Sequence, residues 1–551
     1  MDLIRIKLSF TNILLLIIIL LGVFFRVYNL NWGSPFYFHP DERNIASAVT
    51  QLRFPQQMNP HFFAYGSLPI YAIYFQGLVW NLANSLFNNP VIDNFIISFG
   101  QTIIISRIYS LIFSFLILFL LYNTGKLIKD KRTGFLALIL ASASPGFIQY
   151  SHFGTFEMWL TFFSLLLFYC LLSYIIKQKY KYLLYSSVVV GTLISIKISS
   201  LIFLPVPVIV FLLVNHKQRL MLKLKQIFGI LFLSLTTFSI FSPFVFLDFS
   251  SFQNSFKYES SVAIGALPVF YTQGFYDTTP VLYQSINTLP FLLNPLLSVT
   301  FIFALLYLSF VSLKRGGKKS MFLIMFFVII FFSQSFLFVK WTRYIVPSLP
   351  FAYLIISLFL ISLAEQLNKK SAINSLKKIN IIFLVIIILS NLFFAFSFFT
   401  TVYLKGDTRA SASIVAKGEI SPDARILSEV YDLGILPFNQ YFNNIKLYNF
   451  YNIDHNPHNS NFLTEVGESD YIILASPRVT RTRLVNPKRF PISSTFYRNL
   501  FSGKLGYNKI YETPCDFFCK TTYLGDPVFR FEETVNVFDR PTLFIFQKAK
   551  K

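Results

Sequence analysis

Long runs free of Asp, Glu, Lys and Arg fill most of the first 404 residues. They fall at 8–25, 108–125, 133–156, 158–176, 182–196, 198–215, 226–247, 278–313, 320–339, 344–364 and 379–404. A helix needs about 20 mostly apolar residues to cross a bilayer. The pattern therefore predicts a polytopic α-helical membrane protein of about eleven spans. The run 182–196 is short and contains Gly191, so it is predicted to pair with 198–215 as a tight hairpin broken at Lys197. Residues 54–92 are also uncharged, yet 68–88 carries Gln76, Asn81 and Asn84. Counting it as a span would reverse the side of every later loop. It is read as an amphipathic helix lying on the outer leaflet. The first apolar run has no small-residue cleavage site before Arg26, so it is read as a retained span.

The pattern changes near Lys405. Short apolar runs at Ala424–Leu427, Tyr471–Ala475 and Thr542–Phe546 alternate with Pro, Gly and Asn and read as strands. Residues 405–551 are expected to form a soluble extracytoplasmic α/β domain, and residues 1–404 the membrane domain, with outer loop 29–100 carrying interfacial helices. Cys515 and Cys519 lie four apart on the side where disulfides persist. A bridge and two free thiols are both open.

Composition supports this division. The 551 residues are 54% hydrophobic and only 13% charged, where a soluble domain carries about 25% charge. Mean hydropathy is +0.57. Too little charge exists to coat several soluble domains. A soluble enzyme, a disordered chain and a disulfide-built scaffold are excluded, and three cysteines leave little room for a cysteine metal cluster.

The net charge of +23 would suit nucleic acid until its distribution is read. Alternate connections, with the N-terminus, hold 21 basic residues against the acids Asp2, Asp130 and Glu365. They include Arg5 and Lys7, Lys126 to Arg132, Lys177 to Lys181, Lys217 to Lys225, Lys314 to Lys319 and Lys369 to Lys378. The other side holds eight basic and seven acidic residues. The positive-inside rule then puts the N-terminus in the cytoplasm and, with eleven spans, the C-terminal domain outside. The protein is expected in the cell membrane among lipids, with no nucleic-acid partner.

Polar residues on the outer side are the candidates for chemistry. In Phe38-His39-Pro40-Asp41-Glu42, Pro and two acids suit an ordinary helix start. Two adjacent carboxylates also suit a general base or a cation site. Ser151-His152 and Glu157 lie between two spans, where Glu157 is either solvated at the interface or a second carboxylate facing the first. Lys197, Lys340, Arg343 with Tyr344, and Arg107 are cations on the acids' side. Each either snorkels to headgroups or binds phosphate. His61 follows Asn59-Pro60 and says little. His455 and His458 have a spacing that suits a metal on a helix, but Pro457 opposes a helix there.

Taken in order, these stretches resemble the GT-C membrane glycosyltransferases, in particular the protein mannosyltransferase-like group of glycosyltransferase family 39. The resemblance rests on Phe38-His-Pro-Asp-Glu42, Asn59-Pro-His-Phe-Phe63, Arg107, Ser151-His152 with Glu157, Ile196-Lys197 and Arg343-Tyr-Ile-Val-Pro347, across most of residues 1–360. Val537-Phe-Asp-Arg-Pro541 looks like the extracellular appendage of some bacterial members. Many relatives carry Asp where this chain has Glu157. The resemblance implies a polyprenyl-phosphate sugar donor entering from the bilayer and a protein, lipid or glycan acceptor approaching from outside. A phosphate leaving group needs positive charge rather than a general acid. Lys340, Arg343 or Lys197 would supply it, and Asp41 would be the base of an inverting displacement. Glu157 would orient the acceptor, hold the sugar or help bind a divalent cation, the one cofactor under consideration. Glu42 would anchor the loop helix, and His39, His152, Tyr344 and Arg107 would complete the substrate contacts. The rival reading is a transporter or lipid flippase, which would place ionisable residues mid-span in matching halves. A scaffold would not need Asp41, Glu157 and Arg343 together.

Overall fold

The computed structural model describes residues 10–88, 96–216, 218–370, 374–455 and 461–549. Arg5, Lys7, Lys217 and His458 lie outside the described residues. The helices up to the C-terminal region are α1 (Phe10–Val27), α2 (Pro40–Thr50), α3 (Ser67–Asn88), α4 (Phe99–Ile128), α5 (Lys131–Ser142), α6 (Pro145–His152), α7 (Glu157–Lys177), α8 (Lys181–Ile196), α9 (Pro205–Val214), α10 (Leu220–Phe241), α11 (Phe244–Leu247), α12 (Phe249–Ile264), α13 (Leu282–Asn287), α14 (Leu289–Leu292), α15 (Pro295–Arg315), α16 (Lys318–Ser335), α17 (Leu349–Lys370) and α18 (Asn374–Phe399).

Every apolar run of the sequence has a helical counterpart, but they are unequal. Among the described residues seven helices are long and apolar enough to cross a membrane, or eight if the pair α5 and α6, bent by 58°, is one span. The counterparts of 8–25, 182–196 and 198–215 are shorter apolar helices. The expected spans at 133–156, 182–196 and 198–215 are shortened by local breaks. Pro145 at the first turn of α6 breaks the α5–α6 run. Lys197 is extended between α8 and a 3-10 turn over Ile198–Phe203. The run 278–313 is helical through its second half as α15, while α13 and α14 occupy its start.

Residues 68–88 fall in α3, which is not among the span-length apolar helices. Ile70, Ile73 and Tyr74 are buried on one side of it, while Val79, Leu82 and Leu86 are exposed on the other. Asn81 Nδ2 donates to the Ile96 carbonyl at 2.8 Å, and Gln101 Nε2 donates to Asn81 Oδ1 at 2.7 Å. These bonds tie α3 to the start of α4.

The C-terminal region continues with α19 (Thr408–Glu419), β1 (Ile426–Glu429), β2 (Ile445–Tyr448), α20 (Phe462–Glu468), β3 (Tyr471–Leu474), α21 (Arg478–Val485), α22 (Pro491–Phe501), β4 (Tyr507–Glu512), α23 (Phe517–Thr522) and β5 (Phe544–Lys548). The sheet order is β2-β1-β3-β5-β4. β1 is parallel to β2 and β3, and β5 is antiparallel to β3 and β4. The three strands read from the sequence recur within a few residues. β2 and β4 were not legible, because edge strands such as Tyr507–Glu512 expose polar side chains and lack a long apolar run. Strand alternation builds a core on each face, Leu427, Ile472 and Phe546 on one and Ile426, Ile473 and Ile545 on the other. Cys515 and Cys519 are disulfide-bonded.

The last part of the chain is not confined to this sheet. Phe531, Val535 and Phe538 are buried in the core cluster of the helical region. Gln149 Nε2 in α6 donates to Asp539 Oδ2 at 2.8 Å. The C-terminal region is therefore packed into the bundle next to α6.

Close backbone approach fixes the break at Lys197. The Gly66 N–H donates to the Ile196 carbonyl at 2.9 Å. A Cβ on Gly66 would lie 1.9 Å from the Ser195 carbonyl oxygen. Gly66→Ala is expected to lower the thermal unfolding midpoint of the purified protein clearly. Gly418→Ala, in α19 with nothing near its would-be Cβ, should leave it unchanged or raise it. Equal midpoints for wild type and Gly66→Ala would contradict this account of the break.

Candidate active site

α2 sets the site. Pro40 occupies its first turn, His39 is its extended N-cap, and Asp41 and Glu42 follow. Successive residues on a helix point about 100° apart, so the two carboxylates diverge. Glu42 turns inward. Its Oε1 and Oε2 accept from Arg107 Nε and Nη2 at 2.8 and 2.7 Å, and Oε1 also accepts the Gly154 N–H at 2.6 Å. Both side chains of the pair are fully buried. Arg107 Nη1 also donates to the carbonyls of Leu30 and Trp32, and its guanidinium lies 4.7 Å from the Trp32 ring centre. One residue pair thus joins α2, α4, the loop before α2 and the loop before α7.

Asp41 turns the other way and forms an ion pair with Arg343, each about one-fifth exposed. Burial alone would raise the Asp41 carboxyl. Arg343 above all, with His39, Lys197 and Arg478, outweighs it and holds the group below the usual carboxylate range. Arg343 lies in a 3-10 turn, with its guanidinium 4.4 Å from the Trp341 ring centre. Glu532 from the C-terminal region secures that turn by accepting the Thr342 N–H at 3.0 Å.

Glu157 opens α7 and is buried, and its Oε2 has no hydrogen-bond partner among the described residues. It lines a cavity of about 490 Å³, mouth included, together with Lys197, Arg343 and Tyr344. Ile202, Phe203, Ile330 and Pro347 give this cavity an apolar side. Lys197 Nζ lies 4.5 Å from the Tyr344 ring centre and 5.6 Å from that of Tyr65. Burial, with Arg343 nearby, lowers the Lys197 ammonium to about 8 despite the acids Glu157, Glu259 and Asp41. Asp41, Glu157, Lys197, Arg343 and Tyr344 thus form one constellation.

Other expected substrate contacts are placed differently. Arg107 is fully buried and gives four of its five N–H groups to Glu42 and two carbonyls, so it does not reach the cavity. His152 is buried, with Nδ1 2.8 Å from the Ile148 carbonyl and Nε2 2.9 Å from that of Tyr28. Its ring stacks on Tyr403 at 3.7 Å, so it packs the bundle. Lys340 is buried, donates from Nζ to the Phe338 carbonyl at 3.0 Å, and has no ion pair among the described residues. His39 sits between the rings of Phe153 and Phe538, each 4.6 Å away, and burial lowers its pKa. It shapes the start of α2 with little exposed surface. Among the described residues no three His, Cys, Asp or Glu side chains are placed to hold a metal.

Three further residues were not singled out from the sequence. Tyr65, before α3, and Glu259, on α12, lie within electrostatic reach of Asp41 and Arg343. Partial burial raises the Glu259 carboxyl. Arg478, on α21, acts electrostatically on Asp41 and pairs with Glu533 at 3.1 Å. Glu259 has the charge but no neighbouring motif. Arg478 was one of many tail cations.

The comparisons with known proteins agree with this architecture. Residues 74–246 match the family described as dolichyl-phosphate-mannose-protein mannosyltransferase. The Archaeoglobus fulgidus oligosaccharyltransferase in its apo form superposes with a TM-score of 0.51 at 11% identity, covering 98% of this chain and 89% of that one. The same organism's oligosaccharyltransferase AglB, in complex with an inhibitory peptide and a dolichol-phosphate, gives 0.51 at 12% identity over the same shares. ArnT from Cupriavidus metallidurans, bound to undecaprenyl phosphate, gives 0.48 at 12% identity, covering 86% of this chain and 94% of that one. No curated protein sequence matches. The chain has the fold of the GT-C membrane glycosyltransferases, and its segment 74–246 is similar to the mannosyltransferase family of that class.

Removing Arg107 would strand the Glu42 carboxylate in the interior, a loss of about 3–5 kcal/mol for a buried pair. Arg107→Ala is expected to lower the unfolding midpoint far more than Lys257→Ala, whose side chain is exposed. In a double-mutant cycle with Glu42→Gln the losses should be strongly non-additive. Additive losses would contradict the pairing.

Proposed function

We propose that the protein is an inverting glycosyltransferase that moves a sugar from a polyprenyl-phosphate carrier to an acceptor hydroxyl on the extracytoplasmic side. Residues 1–404 would form the catalytic membrane domain, and 405–551 the outer domain over the site. The observation that carries this reading is that Arg343, paired with Asp41, lines one half-apolar cavity with Lys197 and Glu157. A lipid phosphate needs a cationic pocket with an apolar flank, and an attacking hydroxyl needs a carboxylate nearby.

The pair also suggests an order of events. Bound to Arg343, Asp41 is a weak base, because its proton affinity is depressed. An incoming phosphate competes for the guanidinium with Lys197 as its second cation. As Arg343 turns to the phosphate, Asp41 loses its strongest positive neighbour and its proton affinity rises. The acceptor hydroxyl then gives its proton to Asp41 while its oxygen bonds to the anomeric carbon. The bond from that carbon to the phosphate oxygen breaks, and the carrier phosphate leaves with both electrons. Attack from the opposite face inverts the anomeric centre. Fixed cations at the leaving oxygen stabilise developing charge without reorganising. Glu157, with a free carboxylate oxygen, holds the sugar or the acceptor.

Asp41→Asn should keep its place in the membrane fold and lose transfer by about 100-fold or more, as for removal of a general base. Near-normal turnover of a polyprenyl-phosphate sugar by this variant would exclude Asp41. Lys197 is charged below about 8 and loses its proton above that value. Donor KM should therefore rise as pH passes about 8, and Lys197→Arg should remove that alkaline rise. A donor KM flat from pH 7 to 9 in the wild type would remove Lys197 from the phosphate site.

A further inference from the structure

A second cavity, separate from the active site, lies where the turn between α15 and α16 meets the ends of α4 and α17. It encloses about 920 Å³, open mouth included. Lys129, Arg315, Lys318 and Lys319 line it, and Ile128, Leu308, Val311 and Leu358 give it an apolar wall. Lys129 is paired with Glu365 at 2.7 Å, and Lys319 Nζ donates to the Leu127 carbonyl at 3.0 Å. Arg315 and Lys318 are exposed, and neither has an ion pair or side-chain hydrogen bond among the described residues.

Helix α16 measures the depth of this cavity. Lys318 to Ser320 line it at one end of the helix, and Ser333 and Gln334 line the active-site cavity at the other. Fifteen residues of α-helix span about 22 Å at 1.5 Å each. That length is most of a hydrocarbon core of about 30 Å. The two cavities therefore sit near opposite faces of the bilayer, and the cationic one lies at the headgroup level of the leaflet away from the active site.

We propose that this cavity binds one anionic phospholipid. Its phosphate would lie among Arg315, Lys318 and Lys319, and its acyl chains would run along Leu308, Val311 and Leu358. Charge complementarity selects this occupant. Cations that served topology alone would be spread through solvent, whereas these converge on a concave site whose apolar wall suits acyl chains and offers nothing to a soluble anion. Basic pockets between spanning helices bind such headgroups. The site is independent of the transfer reaction proposed above.

The test uses the full-length protein in nanodiscs of phosphatidylcholine alone or with one-fifth phosphatidylglycerol, followed by native mass spectrometry after release into detergent. One phosphatidylglycerol should remain bound to the wild type. Arg315→Ala/Lys318→Ala should weaken its retention roughly tenfold or more. Lys223→Ala/Lys225→Ala, equally cationic but outside the cavity, should retain it as the wild type does. The single variant Lys318→Glu gives a second reading with the same expected loss. Equal retention by wild type and both cavity variants would overturn the proposal. So would displacement of the lipid by millimolar inorganic phosphate, which would make the site one for a free anion.

Discussion

Two consecutive carboxylates on one helical turn are held by two arginines from opposite directions, and the site depends on that division. Glu42 is buried against Arg107 and anchors α2 to α4 and the loops around it. Asp41, one residue earlier, is left to pair directly with Arg343, which lines the cavity. A buried ion pair adds little net stability over an apolar pair, but losing one partner is costly. Glu42 and Arg107 therefore specify the position of α2 more than they strengthen the fold. That position fixes the direction of Asp41.

The C-terminal region takes part in the same arrangement. Glu532 holds the turn that carries Arg343, Phe538 packs on His39, and Asp539 accepts from Gln149 of α6. All five strands lie beyond the composition break near Lys405, yet the last segment of the chain packs in the bundle core. Composition reports solvent on average and is blind to a short segment that returns to the bundle.

Much of the fold was legible because the bilayer imposes a strict length and polarity rule on each helix. All eleven charge-free runs correspond to apolar helical segments, although breaks at Pro145 and Lys197 leave several too short to span alone. The site was legible in part. Asp41, Glu157, Lys197, Arg343 and Tyr344 meet as the order of motifs suggested. Arg107, His152 and Lys340 do not join them. A cation or imidazole at a helix end reads the same in sequence whether it faces a ligand or binds a buried carboxylate or a carbonyl. Only packing separates the two. Glu259 and Arg478 show the converse, being isolated charges that folding brings near Asp41.

The central claim is that this cavity exchanges the Asp41–Arg343 contact for a lipid phosphate and uses the freed carboxylate to drive an inverting transfer. It is tested most directly by incubating the purified protein with radiolabelled polyprenyl-phosphate sugars and a crude acceptor fraction, then following the carrier phosphate released and the anomeric configuration of the product. The account predicts stoichiometric release of carrier phosphate with inversion from one donor class. Retention of configuration, or movement of the lipid across the bilayer with no donor consumed, would contradict it.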